Sequence, residues 1–277
     1  MSSSVTKNMH VISSSTRSLI SSRYKRITCA VNREFWYSNS ETDHSLYVGS
    51  YGRNTAIDTS DLDVMVILPE SEYDHFTSLK GNGPSKLLQA VKNALLSIYP
   101  NTSIHGDGQV VVVSFSDGMK FEVLPAFYHM VGYYSINRHW DGTYIYPDTN
   151  MGGNWLSTNP KAEQEAIAER NNSTNGLLVE TCKHIRFIRD TKFSSYHLSG
   201  ILIDAFVYQV IGNWHFLRDN EQRVDGDVTY EQYLVKKYND LSYGRLIDPT
   251  LKAPGSNMSI DSKQGWSVLG KVLDYMA

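Results

Sequence analysis

The sequence has few cysteines, and their scarcity narrows the classes of protein it can encode. Only two, Cys29 and Cys182, occur among the 277 residues, and they lie far apart. This argues against a disulfide framework and a cysteine-rich zinc site, and we expect a reducing, cytoplasmic environment. The sequence also lacks an apolar run of about 18 residues, so we expect no membrane span.

An excess of positive charge is missing as well. Lys and Arg together number 26 against 29 Asp and Glu, which gives a formal net charge of -3. A broad basic surface of the kind that binds long nucleic acids is therefore not expected, although a local basic pocket is compatible with this balance. The hydrophobic share of 41% is typical of a globular protein, and the length allows one large domain or two packed lobes.

Hydrophobic periodicity predicts the elements of the first half of the chain. We interpret the Ser-rich, basic N-terminus as a short disordered lead followed by a helix that runs to about Trp36. Residues 46–50 and 61–69 predict a short and a longer strand, and a helix is expected from about Pro84 to Ile98. Residues 109–127 predict a β-hairpin that turns at Ser-Asp-Gly.

The second half of the chain predicts a change of architecture. Residues 132–160 are rich in Gly, Asn and aromatic residues without periodicity, which indicates a long ordered loop region. The pattern becomes helical from about Lys161, and Ser194 or Ser195 is expected to cap the next helix. The sequence therefore predicts an α+β fold, with a mixed-sheet lobe over 1–150 packed on a mostly helical lobe over 151–277.

Two carboxylates open the longer predicted strand. Alternation along a strand places Asp61 and Asp63 on one face, while Leu62 and Val64 point to the other. Two ionised carboxylates this close repel each other unless a cation lies between them. Mg²⁺ is usually held by one or two carboxylates together with substrate phosphates, whereas an Asp-x-Asp alone more often lines a solvated edge.

Two further features lie near this pair in the sequence or on the predicted hairpin. Gly49-Ser50 precedes it, where glycine allows close backbone approach and the serine hydroxyl suits phosphate, and Arg53 could add charge. Glu122 on the hairpin would supply a third carboxylate and complete a two-metal site. An ordinary Gly-Ser turn and a surface glutamate on an edge strand are the simpler alternatives.

The combination resembles a known superfamily. Gly-Ser, ten residues and Asp-x-Asp, followed by a separate Glu-Val-Leu-Pro-Ala strand, are similar to the DNA polymerase beta-type nucleotidyltransferases. The strings "GSYGRNTAIDTSDLDV" and "FEVLPA" resemble more specifically the cGAS/DncV-like nucleotidyltransferases (CD-NTases). The resemblance implies a polymerase beta-like sheet lobe and transfer of a nucleotidyl group from a nucleoside triphosphate to a ribose hydroxyl. Asp61, Asp63 and Glu122 would then be both the catalytic residues and the ligands of two Mg²⁺ ions, with Mn²⁺ as a substitute.

The helical lobe extends the resemblance. "CKHIRFIRDT" and "KFSSYH" occur in the order seen in that family, and the second is similar to a segment of animal cyclic GMP-AMP synthase. Carried over, Lys183 and Ser195 become triphosphate ligands and Tyr196 a platform on which a base stacks. Gly49, Ser50 and Arg53 complete the implied nucleotide-binding set. The simpler alternatives are a surface lysine for Lys183, a helix-capping serine for Ser195 and a core tyrosine for Tyr196.

The resemblance also implies a biological role. The chain would make a cyclic di- or trinucleotide, or a short oligonucleotide, that signals to a separate effector protein in antiphage defence. Glu122 stands where aspartate is commoner in the family, and the zinc insertion of the animal DNA sensor is missing, so activation by DNA is not expected. The alternatives are nucleotide addition to an RNA end, AMPylation of a protein, or an inactive nucleotide-binding scaffold.

Overall fold

Contacts within the chain separate a unit built around a sheet from a unit built from helices. The computed structural model describes residues 4–128, 143–219, 221, 228–243, 248–263 and 265–277. The sheet unit comprises Ser13–Gly52 and Asp61–Pro160, and the helical unit comprises Met1–Ile12, Arg53–Ser60 and Lys161–Ala277. This composition confirms the predicted α+β class. A catalytic role for 1–150 and a nucleotide-binding role for 151–277 stay predictions.

The sheet unit contains a mixed sheet and its covering helices. Its strands are β1 (Ser45–Tyr47), β2 (Leu62–Leu68), β3 (Ser103–Asp107), β4 (Val110–Ser114), β5 (Lys120–Tyr128), β6 (Tyr144–Asp148) and β7 (Asn154–Thr158). Its helices are α1 (Ser14–Phe35), α2 (Gly49–Gly52), α3 (Glu70–Ser78) and α4 (Gly83–Leu96). The strand order is β1-β2-β5-β4-β3, and β6 pairs with both β5 and β7. β2 and β5 run parallel, and the other described pairings in this sheet are antiparallel.

The two strands that carry the predicted carboxylates lie at the centre of this sheet. β2 pairs with β1 on one side and β5 on the other, and Val64, Met65 and Val66 are almost completely buried. Apolar runs without alternation are typical of strands covered on both faces, which explains the sequence of β2. The predicted hairpin is confirmed as β4 and β5, and Gly118 in its turn has a φ of +87°.

The prediction of a long loop over 132–160 is wrong for the residues that the structure describes there. β6 and β7 form an antiparallel hairpin, in which Tyr144 pairs with Thr158 and Pro147 with Trp155. Asn150, Gly152 and Gly153, which contributed to the loop prediction, lie in the short connection between these strands. Residues 132–142 of the predicted loop lie outside the described residues.

The helical unit confirms the predicted change of architecture. Its elements are α5 (Pro160–Ser173), α6 (Leu177–Lys192), α7 (Gly200–Val210), α8 (Tyr230–Ser242), the short strands β8 (Leu251–Lys252) and β9 (Ser259–Ile260), and α9 (Trp266–Met276). The apolar side chains of α6, α7 and α9 form one buried cluster. Across the described ranges, no helix is long and apolar enough to cross a membrane.

The expected cap at Ser194 or Ser195 is wrong. Helix α7 begins at Gly200, and Ser199 holds its N-cap position. The chain instead makes a turn directly after α6, closed by a hydrogen bond from the Tyr196 N–H to the Phe193 carbonyl. Leu198 follows this turn and is buried. The turn and the buried Leu198 occupy the positions where the helix was predicted to begin, so α7 begins only at Gly200.

The predicted disordered lead is wrong for the described residues from Ser4 onward, because they bind side chains elsewhere in the helical unit. Ser4 donates its backbone N–H to the Glu231 carboxylate at 2.7 Å, and Val5 is buried. Met9 donates its N–H to the Glu180 carboxylate at 3.0 Å. Both acceptors lie on helices more than 170 residues away along the chain. A polar, Ser-rich composition predicts disorder only when no such acceptors are supplied from elsewhere.

One buried carboxylate joins several parts of the helical unit. Asp204 on α7 binds the Arg186 guanidinium at 2.7 Å and that of Arg53 at 2.9 Å, and it accepts a hydrogen bond from the Thr55 hydroxyl at 3.0 Å. Arg53 also binds Glu163 on α5 at 2.9 Å. Burial alone would raise the pKa of Asp204, but the two guanidinium groups outweigh it and lower the pKa to about 2.

We expect Asp204→Asn to lower the free energy of unfolding by about 3–5 kcal/mol, because it leaves two buried guanidinium groups short of a counter-charge. Urea denaturation followed by circular dichroism measures the change. Asp240→Asn is the matched control, since Asp240 forms an exposed pair with Lys236 on α8 that contributes about 0.3–0.5 kcal/mol. Equal losses for the two variants would contradict the role assigned to Asp204.

Candidate functional site

Asp63 and Glu122 lie side by side on neighbouring parallel strands. The register of β2 and β5 pairs Asp63 with Glu122 and Leu62 with Phe121. Leu62 and Phe121 are buried, whereas both carboxylates are partly exposed. Because side chains alternate along a strand, the two carboxylates share the opposite, accessible face of the sheet. Two of the three predicted catalytic residues are therefore neighbours.

Lys120 brings the third carboxylate, Asp61, to the same place. Its ammonium lies 2.6 Å from a Glu122 carboxylate oxygen and 3.3 Å from one of Asp61. Partial burial alone would lower the pKa of Lys120, but the hydrogen bonds and negative charges of Glu122 and Asp61 outweigh it and raise the pKa. Lys120 is therefore a protonated counter-ion for two of the predicted metal ligands.

Gly49 lies directly against the Asp63 side chain. It begins the short helix α2 with a φ of +58°, in the left-handed region that glycine adopts without cost. A Cβ atom at this position would overlap the carboxylate of Asp63. The Val48 N–H also donates to the Asp63 backbone carbonyl at 2.9 Å. The predicted pairing of the Gly-Ser turn with the carboxylates is thus a direct contact, and Ser50 follows as the second residue of α2.

Arg53 has a different surrounding from the one predicted for a nucleotide ligand. Its side chain is 7% exposed, and its guanidinium binds Asp204 and Glu163 within the helical unit. Two carboxylates neutralise the charge that the sequence interpretation assigned to phosphate. The structure therefore gives Arg53 a structural role in the buried network.

Lys183, Ser195 and Tyr196 all lie in the helical unit, on α6 or in the turn that follows it. The Lys183 ammonium lies 3.4 Å from the carboxylate of Glu180, one helical turn earlier, and both side chains are 12% exposed. Ser195 is exposed, and Tyr196 keeps 50% of its surface accessible. The core alternative for Tyr196 is therefore wrong, since half of the residue faces solvent.

The carboxylates fit a metal ion that arrives together with its substrate better than a resident one. In the part of the chain that the structure describes, no group of three His, Cys, Asp or Glu residues is placed to hold a metal. Asp61 and Glu122 nevertheless converge on one cation, the Lys120 ammonium. Mg²⁺ needs only one or two carboxylates when substrate phosphates complete its octahedral shell. The donor set is suited to that mode of binding.

Sequence reasoning missed Lys120, although the signal was present. Lys120 and Glu122 are two residues apart on a predicted strand, so period-two alternation alone places both on one face. The prediction considered only the carboxylates, as metal ligands, and did not include Lys120 as their counter-ion. Asp204 had no such signal, because an aspartate in an apolar helical run reveals its partners only in the folded chain.

The chain matches one family model over more than half of its length. Residues 3–171 match the Second Messenger Oligonucleotide or Dinucleotide Synthetase domain. A probable cyclic nucleotide synthase of Bacillus cereus strain VD146 is 28% identical over 127 residues. That match covers 44% of this chain and 36% of the curated relative.

Solved structures share the fold at low sequence identity. The CdnE cyclic dinucleotide synthase of Elizabethkingia meningoseptica, solved with GTP and Apcpp, has a TM-score of 0.60 at 17% identity, covering 91% of this chain and 89% of that one. CdnC of E. coli MS115-1, in complex with HORMA-deltaN, has a TM-score of 0.59 at 14% identity, covering 96% and 84%. These likenesses confirm the predicted polymerase beta-like architecture.

We expect Gly49→Ala to destabilise the protein more than Gly118→Ala does. Both glycines have positive φ, which costs alanine about 1 kcal/mol, but a Cβ at Gly118 meets nothing within 4 Å. The difference between the two variants in urea denaturation therefore isolates the contact of Gly49 with Asp63. Equal destabilisation would show that Asp63 moves aside without cost.

We expect Lys120→Met to tighten Mn²⁺ binding about two- to fivefold, because partly exposed ion pairs of about 0.2–1 kcal/mol no longer compete with the metal. Calorimetric titration with Mn²⁺ in the presence of a non-hydrolysable ATP analogue measures the change. Lys86→Met is the control, since the Lys86 ammonium binds the Lys80 backbone carbonyl and, among the residues that the structure describes, no carboxylate. Unchanged or weaker binding in Lys120→Met would argue against a metal site at Asp61 and Glu122.

Proposed function

The chain belongs to the family of second messenger oligonucleotide or dinucleotide synthetases, and on that premise we propose that it is a metal-dependent nucleotidyltransferase. It joins nucleoside triphosphates into a cyclic di- or trinucleotide, or a short oligonucleotide, and releases pyrophosphate. Its family membership agrees with the resemblance found in the sequence. The observation that supports the proposal is the pairing of Asp63 with Glu122 across the parallel strands β2 and β5, with the Lys120 ammonium bound to both Glu122 and Asp61.

The proposed reaction is a substitution at phosphorus. A ribose hydroxyl of one nucleotide attacks the α-phosphorus of another, a new P–O bond forms, and the bond to the pyrophosphate leaving group breaks. Such a reaction needs neutralisation of phosphate charge and a hydroxyl that loses its proton readily. Bound Mg²⁺ supplies both effects, and Asp61, Asp63 and Glu122 are the side chains that would hold it.

The other residues bind and orient the nucleotides. Ser50 and Ser195 offer hydroxyl groups, and Lys183 offers an ammonium that suits phosphate as a compact point charge. That ammonium is paired with Glu180, so phosphate would take over an existing ion pair. Tyr196 presents an exposed ring on which a base can stack, a contact that contributes about 1–3 kcal/mol.

The product would act as a diffusible signal. We propose that it binds a separate effector protein and serves antiphage defence in the cytoplasm. The proposal takes its support from the family name and from the cyclic dinucleotide synthases that share the fold.

The decisive experiment is synthesis from labelled nucleotides. The purified chain is incubated with radiolabelled ATP, GTP, CTP and UTP and with Mg²⁺ or Mn²⁺, and we expect small phosphatase-resistant products. Mass spectrometry and nuclease digestion then identify ring size and linkage. The proposal fails if no nucleotide mixture with either metal gives such a product.

We expect the double variant Asp61→Asn, Asp63→Asn to lose at least about a hundredfold in rate, because metal ligation supplies several kcal/mol of transition-state stabilisation. Asp58→Asn is the matched control, since this exposed aspartate lies three residues before Asp61. Circular dichroism checks that the variants are folded. An active double variant would refute the assigned metal ligands.

A further inference from the structure

Helix α9 is held in a fixed position within the helical unit. Trp266 stacks on Tyr238 of α8 with ring centroids 4.6 Å apart, and its indole N–H donates to the Ser242 hydroxyl at 2.9 Å. The Tyr238 hydroxyl donates in turn to the Trp266 carbonyl at 3.1 Å. These contacts fix the rotation of α9, and with it the side chains that the helix exposes.

The exposed face of α9 lies against the turn that carries Tyr196. Lys271 and Tyr275 are one helical turn apart on this face and both are exposed. The Tyr275 ring meets Phe193 edge-on at 6.2 Å, at the start of the turn. The Lys271 ammonium lies 4.6 Å from the centroid of the Tyr196 ring. Helix α9 therefore positions one particular lysine over the proposed base platform.

The contact between Lys271 and Tyr196 is easily exchanged. In the described ranges, no carboxylate lies within ion-pair distance of Lys271, and half of the surface of Tyr196 is accessible. An exposed cation–π contact is weaker than a base stacked on an aromatic ring. A base can therefore take the ring face from the ammonium, and the flexible four-carbon arm keeps the ammonium within reach of the edge of that base.

The chemistry of the ammonium group favours one purine over the other. It has three donors and no acceptor. Guanine presents two adjacent acceptors, O6 and N7, whereas adenine presents N7 beside the N6 amino group, which is itself a donor. An ammonium next to the ring would therefore bind guanine through two atoms and would meet a donor on adenine.

Building on the proposed function, we propose that Lys271 is a specificity-determining residue that favours guanine over adenine for the base stacked on Tyr196. The residue acts at the edge of the base and takes no part in the transfer chemistry. It adds a basic side chain from the last helix to the nucleotide-binding set drawn from α6 and the turn after it.

The test compares nucleotide binding by the full chain and its Lys271→Met variant, which keeps the length of the side chain and removes its charge. Calorimetric titrations use non-hydrolysable analogues of GTP and ATP with Mg²⁺. We expect about tenfold weaker binding of the GTP analogue and less than a twofold change for the ATP analogue. Lys192→Met is the matched control, because its ammonium lies over the Tyr275 ring instead, at 5.9 Å, and both affinities should stay unchanged.

Each other outcome overturns the inference in a recognisable way. An equal loss for both analogues would place Lys271 on the phosphates, and no loss would remove it from the site. Tyr196→Leu should abolish the effect of Lys271→Met on the GTP-to-ATP ratio, so a persistent effect would also contradict the proposal. If the unmodified chain binds neither analogue and forms no product, the proposed function fails. If it forms product and the variant keeps its base preference, this inference alone fails.

Discussion

The helical unit depends on the Asp204 carboxylate, a single negative charge away from solvent. Arg186, Arg53 and Thr55 all bind it, and they come from α6 and from the segment that separates the Gly-Ser turn from the Asp-x-Asp pair. A buried ion pair is stable only when every charge and donor in it is satisfied. Asp204 meets that condition, and one aspartate thereby fixes both a helix and a connecting segment.

The carboxylates at β2 and β5 differ from Asp204 because their ion pairs are exposed to solvent. Asp61 and Glu122 bind Lys120 at a place where all three side chains keep contact with water, so the ion pairs are weak and exchangeable. Like charges can therefore gather before a metal and a triphosphate arrive. Glu180 and Lys183 form a second, less exposed ion pair in the helical unit. In both places, a protein counter-ion occupies the position that the substrate or its metal is proposed to take.

The sequence predicted much of the fold and the strand positions of the carboxylates, because alternation and turn residues are local signals. The pairing of Asp63 with Glu122 follows from two strands that each have one buried face. The burial of Arg53 between two carboxylates escaped prediction, because charge is visible in a sequence and burial is not. The packed N-terminus escaped prediction for the same reason, since Ser4 finds its acceptor 227 residues away. The contact between Lys271 and Tyr196 also escaped prediction, because the two residues lie far apart in the sequence.

The segment Arg53–Ser60 has an evolutionary consequence. Arg53 and Thr55 bind Asp204, and Thr59 binds Asp190 at 2.5 Å, so the segment is held near both ends. Exposed positions such as Asp58 are open to substitution, but one inserted or deleted residue would break these contacts. The ten residues between Gly-Ser and Asp-x-Asp should therefore keep their number as lineages diverge, and vary in identity mainly at exposed positions that make no such contact.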